Sequence, residues 1–338
     1  MKWFKLRVLG NLSVRFPGIS RRIGRRVDNS VRCPRLDNST RALRILVLRG
    51  GALGDLILTL PLLHEIRNSY RGASVELWGV FPQAKLAAPS FVDRVERLDA
   101  IGFASLFATA PLSPMVRARL EGLDLALSLL SDPGLTIARN LTAAGVKRVI
   151  AGSSLIRPGV HAVYQLSAVL GQLGLTLHDP IPRLPVGANR RHSSCLGFHL
   201  GSGSASKNWP MESWIELVEC LDGLFDDYLL VGGEADIELV DEFCSRCRIR
   251  SLRRLLNANL SELARAIQHC GIFVGHDTGV THLAAAVGTP TVALFGATDP
   301  AVWAPLGEHV RIVRSPDGLM KSIEVALVAA EIRGETAG

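Results

Sequence analysis

The sequence predicts an α/β protein built from two doubly wound parallel-sheet domains in tandem. Its 338 residues exceed the length at which one hydrophobic core usually stops growing. From residue 41 onward, short apolar runs alternate with longer amphipathic stretches, a pattern typical of a parallel sheet covered by helices. A Pro-rich polar interval at 180–194 interrupts this pattern, which then restarts. We therefore expect an arm over 1–40 and domains over 41–182 and 190–338.

The apolar runs define the expected strands in order along the chain. In the first domain we expect strands at 44–49, 74–80, 124–129 and 147–151. In the second we expect strands near 195–200, 228–232, 271–275, 290–295 and 309–314. The sequence NLSE at 259–262 predicts a helix start, with Asn259 as the cap and Glu262 reaching back to it.

The positive charge of the chain is concentrated in its first forty residues. The net charge is +7, and residues 1–40 hold ten Lys or Arg against two Asp, so the rest is close to neutral. This arm lacks the uninterrupted apolar segment of a secretory signal, and no apolar run is long enough to span a membrane. We expect a cytoplasmic protein whose arm is either a disordered tail or a contact with an anionic membrane surface. The near-neutral body argues against nucleic-acid binding.

Six scattered cysteines fit reduced thiols better than a disulfide framework. Cys244 and Cys247 form a lone CxxC pair, without a second pair or a nearby His at ligand spacing. We favour a position on a helix face over a redox or zinc role for this pair.

The segment RGGALGD at 49–55 follows the first expected strand. Gly51 and Gly54 permit a tight turn and a close backbone approach, and the next helix directs free N–H groups at whatever lies there. Such a turn suits an anion or a sugar, although its spacing matches neither the P-loop nor the dinucleotide-binding pattern. Asp55 is either a cap of that helix or a group placed for chemistry.

The segment HLGSGSASKNWP at 199–210 follows the first strand of the second domain. Its small residues, Ser204 among them, offer backbone N–H and hydroxyl donors. Lys207 adds a mobile positive charge of the kind that neutralises a phosphate. Trp209 and Pro210 then close the loop, which argues against a flexible linker.

The segment FVGHDTGVTHLAAAVGTPTVALFGATDP at 273–300 is the most informative. A strand ends at Gly275, and Asp277, Thr278 and Gly279 begin a helix that places His282 about one turn later. The first backbone N–H groups of this helix then point into the cleft between the domains. We expect Asp277 to accept hydrogen bonds from backbone donors and to orient them. Taken alone, His282 is a structural histidine more often than a ligand.

Together the three segments resemble glycosyltransferase family 9, the heptosyltransferases that build the inner core of lipopolysaccharide. The resemblance spans residues 44 to about 300 and rests on specific motifs. These are R-x-x-x-x-G-D with its apolar continuation from Arg49 to Pro61, K-x-W-P at 207–210 and G-x-D-T-G-x-x-H at 275–282. Family members have two Rossmann-type domains facing each other across a cleft, the GT-B fold, which agrees with the tandem domains predicted above.

The resemblance implies a role for each segment. An ADP-heptose donor would bind mainly to the second domain, and a lipid-linked oligosaccharide acceptor to the first. Asp55 would be the general base, and His282 would support a diphosphate site made by Lys207 and the turn 277–279. Glu234, in VGGEAD after its own strand, is expected to bind the ribose hydroxyls. Gly51, Gly54 and Ser204 complete the expected binding residues.

An inverting transfer needs a base on the face of the sugar opposite the departing nucleotide, which only the acidic residue of the other domain can supply. No Asp-x-Asp pair occurs in the chain. We therefore expect catalysis without a metal and without a cofactor, the ADP-sugar being a substrate.

Several alternatives stay open at this point. The same fold and mechanism fit another nucleotide-sugar donor or another acceptor, and a non-catalytic nucleotide-sugar sensor would share the motifs. A nucleotide-sugar epimerase would need a Tyr-x-x-x-Lys pair, which none of Tyr70, Tyr164 and Tyr228 provides. Thr298 and Asp299 follow the family pattern without a role that the residues indicate.

Overall fold

In a computed structural model, residues 42–187 and 192–334 are described, together with the backbone of the short strand Val8–Leu9; side chains are described from residue 194 in the second range. These residues form two open sheets whose strands all pair in parallel. The predicted α/β architecture of two doubly wound sheets is thereby confirmed. Apart from Val8–Leu9, the expected arm at 1–40 lies outside the described residues, and its role stays a prediction.

The first sheet is five-stranded, in the order β4-β3-β2-β5-β6. Its central strands are buried on both faces because helices cover the sheet on each side. The strands are β2 (Arg44–Arg49), β3 (Ser74–Gly79), β4 (Arg94–Arg97), β5 (Leu125–Leu129) and β6 (Arg148–Ala151). The helices of this half are α1 (Leu53–Ile57), α2 (Leu60–Ser69), α3 (Pro114–Leu120), α4 (Thr136–Ala143) and α5 (Ala162–Ser167).

The second sheet is seven-stranded, in the order β1-β12-β11-β10-β7-β8-β9. Its strands are β1 (Val8–Leu9), β7 (His192–His199), β8 (Asp227–Gly232), β9 (Leu252–Leu256), β10 (Cys270–His276), β11 (Thr291–Phe295) and β12 (Val310–Arg314). The helices are α6 (Met211–Cys220), α7 (Ile237–Arg246), α8 (Leu260–His269), α9 (Gly279–Ala286), α10 (Pro300–Trp303) and α11 (Val325–Arg333).

Besides the two-residue β1, the strands β4 and β9 are absent from the sequence prediction. Each lies at the edge of its sheet, where no other strand of the described residues pairs with the outer side of its backbone. Their sequences, RVER and LRRLL, carry arginines that point to solvent instead of forming an apolar run. Charged edge strands of this kind protect a sheet from pairing with other chains, and this charge hides them from a hydrophobicity pattern.

Local helix signals agree with the prediction. The Asn259 side chain caps α8 by accepting the backbone N–H of Glu262 at 2.9 Å, and its amide contacts the Glu262 carboxylate. Cys244 lies on α7 and Cys247 follows its last residue, as expected for a helix face. Both are free thiols, and burial raises the pKa of Cys247.

The two sheets do not have fully separate cores. One buried apolar cluster joins Leu62 and Leu63 of α2 to Leu283 and Ala284 of α9. The interval expected as a linker also packs against the second half, since Leu184 donates its N–H to the carbonyl of Ala286 at 2.8 Å. The halves are therefore held in contact around the ends of the strands.

Candidate active site

Asp55 is the third residue of α1, at the carboxyl end of β2. Its Oδ2 accepts the backbone N–H of Ala52 at 2.9 Å, which closes the first turn of the helix. Its Oδ1 accepts Nη2 of Arg49 at 2.8 Å, and the side chain is 36% exposed. A carboxylate has about four lone-pair positions, so these two bonds leave acceptor capacity on the exposed side. From the sequence, capping of the helix and a chemical role were alternatives for Asp55. The structure allows the same carboxylate to have both roles.

The backbone before α1 needs glycine at residue 51. Gly51 has a φ of +95°, and a Cβ there would lie 2.4 Å from Oδ2 of Asp55. The left-handed conformation and the close approach both exclude a side chain. Gly51 thus shapes the turn that brings the carboxylate back over the helix start.

A buried arginine holds Asp55 in place. Arg49 is 4% exposed and also donates from Nε to Oγ1 of Thr59 at 3.0 Å. Thr59 in turn donates to the backbone carbonyl of Asp55 at 2.7 Å. Burial lowers the pKa of Arg49, and the neighbouring Asp55 opposes that shift. In the sequence, Arg49 was identified only as the first residue of a motif, and its partner was missed. An arginine at the end of a buried strand is itself a signal of an acidic partner.

On the second half, Lys207 and Asp277 form an ion pair. Lys207 ends a short 3₁₀ turn in the loop after β7, and its Nζ lies 3.2 Å from Oδ2 of Asp277. The lysine side chain is 37% exposed and the aspartate 13%. We expected backbone donors for Asp277, and the structure gives it the ammonium group of Lys207 instead. The loop after β7 and the end of β10 are thereby joined by charge.

The turn after β10 leads directly into α9. Thr278 is the N-cap residue, so the helix begins at Gly279, and His282 donates its backbone N–H to the Thr278 carbonyl at 3.1 Å. The first backbone N–H groups of a helix lack partners within it. The start of α9 therefore offers donors and a positive dipole end beside Lys207.

The starts of α1 and α9 touch each other. A Cβ on Gly279 would lie 2.8 Å from the backbone N of Gly54 and 2.8 Å from Cβ of Leu53. A Cβ on Gly54 would lie 3.5 Å from Cα of Gly279, an ordinary contact distance. This glycine contact sets Asp55 of the first sheet opposite the 277–279 turn of the second.

His282 lies beneath this contact and is buried. Burial lowers its pKa to about 4, while the charges of Asp277 and Asp55 oppose the shift. The ring also hydrogen-bonds the backbone of Trp303, the last residue of α10. Asp299 caps α10 by accepting the N–H of Ala301 at 3.1 Å, which gives the aspartate of GATDP a structural role.

Most of the predicted site residues are thus brought together at the junction of the two halves. They are Gly51, Gly54, Asp55, Lys207, Asp277, Thr278, Gly279 and His282. Ser204 and Glu234 follow strands of the same sheet but are exposed, with Ser204 contacting Ser206 at 2.9 Å. Their expected roles stay predictions.

Among the described residues, no group of three or more His, Cys, Asp or Glu is arranged to hold a metal ion. Over the same ranges, no helix combines the length and apolar character needed to cross a membrane. Metal independence and a cytoplasmic location stay predictions.

Comparison with known sequences places these features in context. The family profile of glycosyltransferase family 9 (heptosyltransferase) matches residues 175–327. Lipopolysaccharide heptosyltransferase 1 of Pseudomonas aeruginosa is 27% identical over 298 residues, covering 76% of this chain and 80% of that protein. Lipopolysaccharide heptosyltransferase 3 of Escherichia coli K12 is 32% identical over 107 residues. That match spans 31% of each protein.

Solved structures share the fold. A family 9 glycosyl transferase from Veillonella parvula superposes with a TM-score of 0.73 at 19% identity, covering 87% of this chain and 98% of that one. E. coli heptosyltransferase WaaC with ADP gives a TM-score of 0.69 at 19% identity, covering 87% of this chain and all of that one. The pair of facing sheets is accordingly the GT-B arrangement.

Proposed function

We propose that this chain, a member of glycosyltransferase family 9, is an inverting glycosyltransferase. It moves a heptose from ADP-heptose to a lipopolysaccharide inner-core acceptor. One observation carries the proposal: the contact of Gly54 with Gly279 sets the carboxylate of Asp55 opposite the cation and helix start of the second half. The names of the related heptosyltransferases, and the ADP bound to WaaC, support the choice of donor.

The second half has the chemistry of a diphosphate site. Lys207 supplies a partly exposed ammonium, and α9 supplies N–H donors at its start. Asp277 keeps the ammonium at the end of β10 before the donor arrives. As the sugar–phosphate bond breaks, its electron pair goes to the departing phosphate oxygen. Lys207 and the helix start stabilise that charge, an effect commonly worth about 10²–10³ in rate for one donor.

The first half supplies the base. The acceptor hydroxyl attacks the anomeric carbon and gives its proton to the carboxylate of Asp55. Arg49 and the N–H of Ala52 keep this carboxylate oriented while its remaining lone pairs face the exposed side. Because base and leaving group lie on opposite sides of the contact, the sugar is displaced with inversion.

The remaining parts of the proposal concern the setting. The acceptor is a lipid-linked oligosaccharide, the reaction runs at the cytoplasmic face of the inner membrane, and the basic arm contributes peripheral contact. Neither a metal nor a cofactor is required. Glu234 binds the donor ribose, and Ser204 joins the donors of the loop after β7.

The test begins with melting temperatures in excess ADP, UDP, GDP or NAD. A ligand at a hundred times its dissociation constant adds about 2.7 kcal/mol of stability, enough for a shift of several degrees. We expect a shift with ADP alone, and a clearly smaller shift in Lys207→Ala. Lys147→Ala is the matched control, since it removes an ammonium paired with Asp124 at 2.9 Å, at the start of β6 and far from the site.

Transfer from ADP-heptose to a lipid A-type acceptor is then measured with and without EDTA. Transfer that is insensitive to EDTA supports the proposed donor, the proposed acceptor and catalysis without a metal. A shift with UDP or GDP instead of ADP replaces the donor, and binding of ADP without transfer or donor hydrolysis indicates a sensor. A shift with NAD alone would overturn the proposal.

A further inference from the structure

The last residue of β10, His276, lies next to the proposed diphosphate site. It is fully buried, with a relative exposure of 0%, and it directly precedes Asp277. Its ring packs edge-on against Trp214, with centroids 5.5 Å apart and planes at 77°. The ring therefore has a fixed orientation within the core of the second half.

Both ring nitrogens of His276 are hydrogen-bonded to backbone groups of the loop after β7. Nδ1 lies 3.1 Å from the carbonyl oxygen of Gly201, and Nε2 lies 2.9 Å from the backbone N of Trp209. A carbonyl only accepts and an amide N–H only donates, so the ring is neutral and carries its proton on Nδ1. Each nitrogen thus has one defined role.

The two partners mark the beginning and the end of the loop that carries Lys207. Gly201 follows β7, and Trp209 closes the loop while its indole Nε1 donates to the carbonyl of Ile323 at 3.1 Å. Between them, Lys207 reaches back to Asp277, the neighbour of His276 in sequence. One imidazole therefore joins both ends of the loop to the strand end where its lysine is held.

We propose that His276 is a positioning residue for the donor diphosphate. It fixes the 201–209 loop so that Lys207 meets the phosphates, and this role rests on the function proposed above. The ring does not touch the donor and takes no part in the chemistry. Its effect on the donor passes through the backbone of the loop and the ammonium of Lys207.

The surroundings of His276 favour the neutral ring that this role requires. Burial lowers its pKa to about 4. The charge of Asp236 opposes the shift, and His199, which contacts Asp236 at 3.1 Å, adds to it. Protonation would turn Nε2 into a donor facing the N–H of Trp209. The hydrogen bond that holds the loop at Trp209 would then be lost.

Two amide substitutions separate the two bonds. His276→Asn places an amide near Nδ1 and retains the bond to Gly201, whereas His276→Gln places one near Nε2 and retains the bond to Trp209. His276→Leu removes both. The control is His309→Leu. His309 immediately precedes β12, and its Nε2 lies 3.0 Å from the carbonyl oxygen of Ala285 near the end of α9, so neither residue belongs to the 201–209 loop.

The first readout needs no nucleotide. Amide hydrogen exchange of the 201–210 segment should be faster in His276→Leu than in the wild type, with the amide variants between them and His309→Leu unchanged. Unchanged exchange in all three His276 variants would overturn the proposal. This readout also decides the role of the loop if the wild type fails to bind ADP, a result that would count against the proposed function alone.

The second readout is the dissociation constant of ADP, measured by calorimetry. We expect His276→Leu to weaken ADP binding about tenfold, as the loss of well-placed hydrogen bonds implies, without changing KM for the acceptor. In a Lys207→Ala background, His276→Leu should change the dissociation constant of ADP less than about twofold, because the ammonium group through which His276 acts is absent. A full effect in that background would refute action through Lys207. If the leucine variant does not fold, the amide variants carry both readouts.

Discussion

Replacing Asp55 with asparagine keeps the size of the side chain and removes its charge. The carboxylate is the proposed base, and it also accepts hydrogen bonds from Arg49 and Ala52. An amide has a single acceptor oxygen, so one of these two donors must lose its partner. We therefore expect Asp55→Asn to affect turnover and stability together, for separate reasons.

The two effects differ in size. Loss of a general base lowers turnover by about 10² to 10⁴. A hydrogen bond to a charged group is worth about 1.5–3 kcal/mol, and the 36% exposure of the Asp55 side chain reduces this to about 1–2 kcal/mol of unfolding free energy. Such a loss lowers the melting temperature by only a few degrees. Nucleotide affinity should stay within about threefold, because the proposed donor site belongs to the other half.

Thr59→Val is the matched control. It removes the hydroxyl that accepts from Arg49 and donates to the backbone of Asp55, and it leaves the carboxylate in place. Transfer is assayed at saturating donor and acceptor, at a temperature where each variant is folded. The control should lose stability and keep its turnover within a few-fold. If Asp55→Asn melts early but retains turnover within about fivefold of the wild type, the carboxylate is a cap and the base lies elsewhere.

Two further predictions concern the junction. Gly279→Ala should reduce transfer strongly, since its Cβ would meet the backbone N of Gly54 at 2.8 Å. Gly54→Ala should be tolerated, because its Cβ would lie 3.5 Å from the nearest atom. Equal transfer rates for the two variants would contradict this contact between the helices. Stability should also depend on pH, because the pKa of His282 is about 4 in the folded chain and about 6.5 when unfolded. The unfolded chain then binds the proton first, so this stabilisation is complete above about pH 6.5 and falls by about 3 kcal/mol toward pH 4. Urea unfolding from pH 7.5 to 4.5 should show this slope, and His282→Gln should reduce it, leaving the part that His276 contributes.

Strands buried on both faces were predictable from sequence because most of their positions are apolar. The run at 44–49 matches β2 residue for residue, and the run at 290–295 differs from β11 by one position. The edge strands β4 and β9 were missed because their outward arginines carry no apolar signal. In each case the environment of the strand decides how much of it is visible in the sequence.

The site was predictable as motifs but not as contacts. Asp277 was expected to meet backbone donors, and its partner is Lys207, seventy residues earlier in the chain. Arg49 and Asp55 are close in sequence, yet their pairing depends on a left-handed Gly51 that a pattern of letters does not reveal. Side-chain partners across different strands follow from the packing of whole sheets, which local spacing does not encode.

The glycine contact between α1 and α9 also restricts how the two halves can be recombined. Residue 279 must be glycine, because a side chain there would strike the backbone of residue 54. A hybrid that joins one half of this chain to the other half of a relative therefore combines two helix starts that are not matched to each other. Its domains can each fold correctly and still stand too far apart to react. The fit between the starts of α1 and α9, more than the integrity of either sheet, decides whether such a hybrid is active.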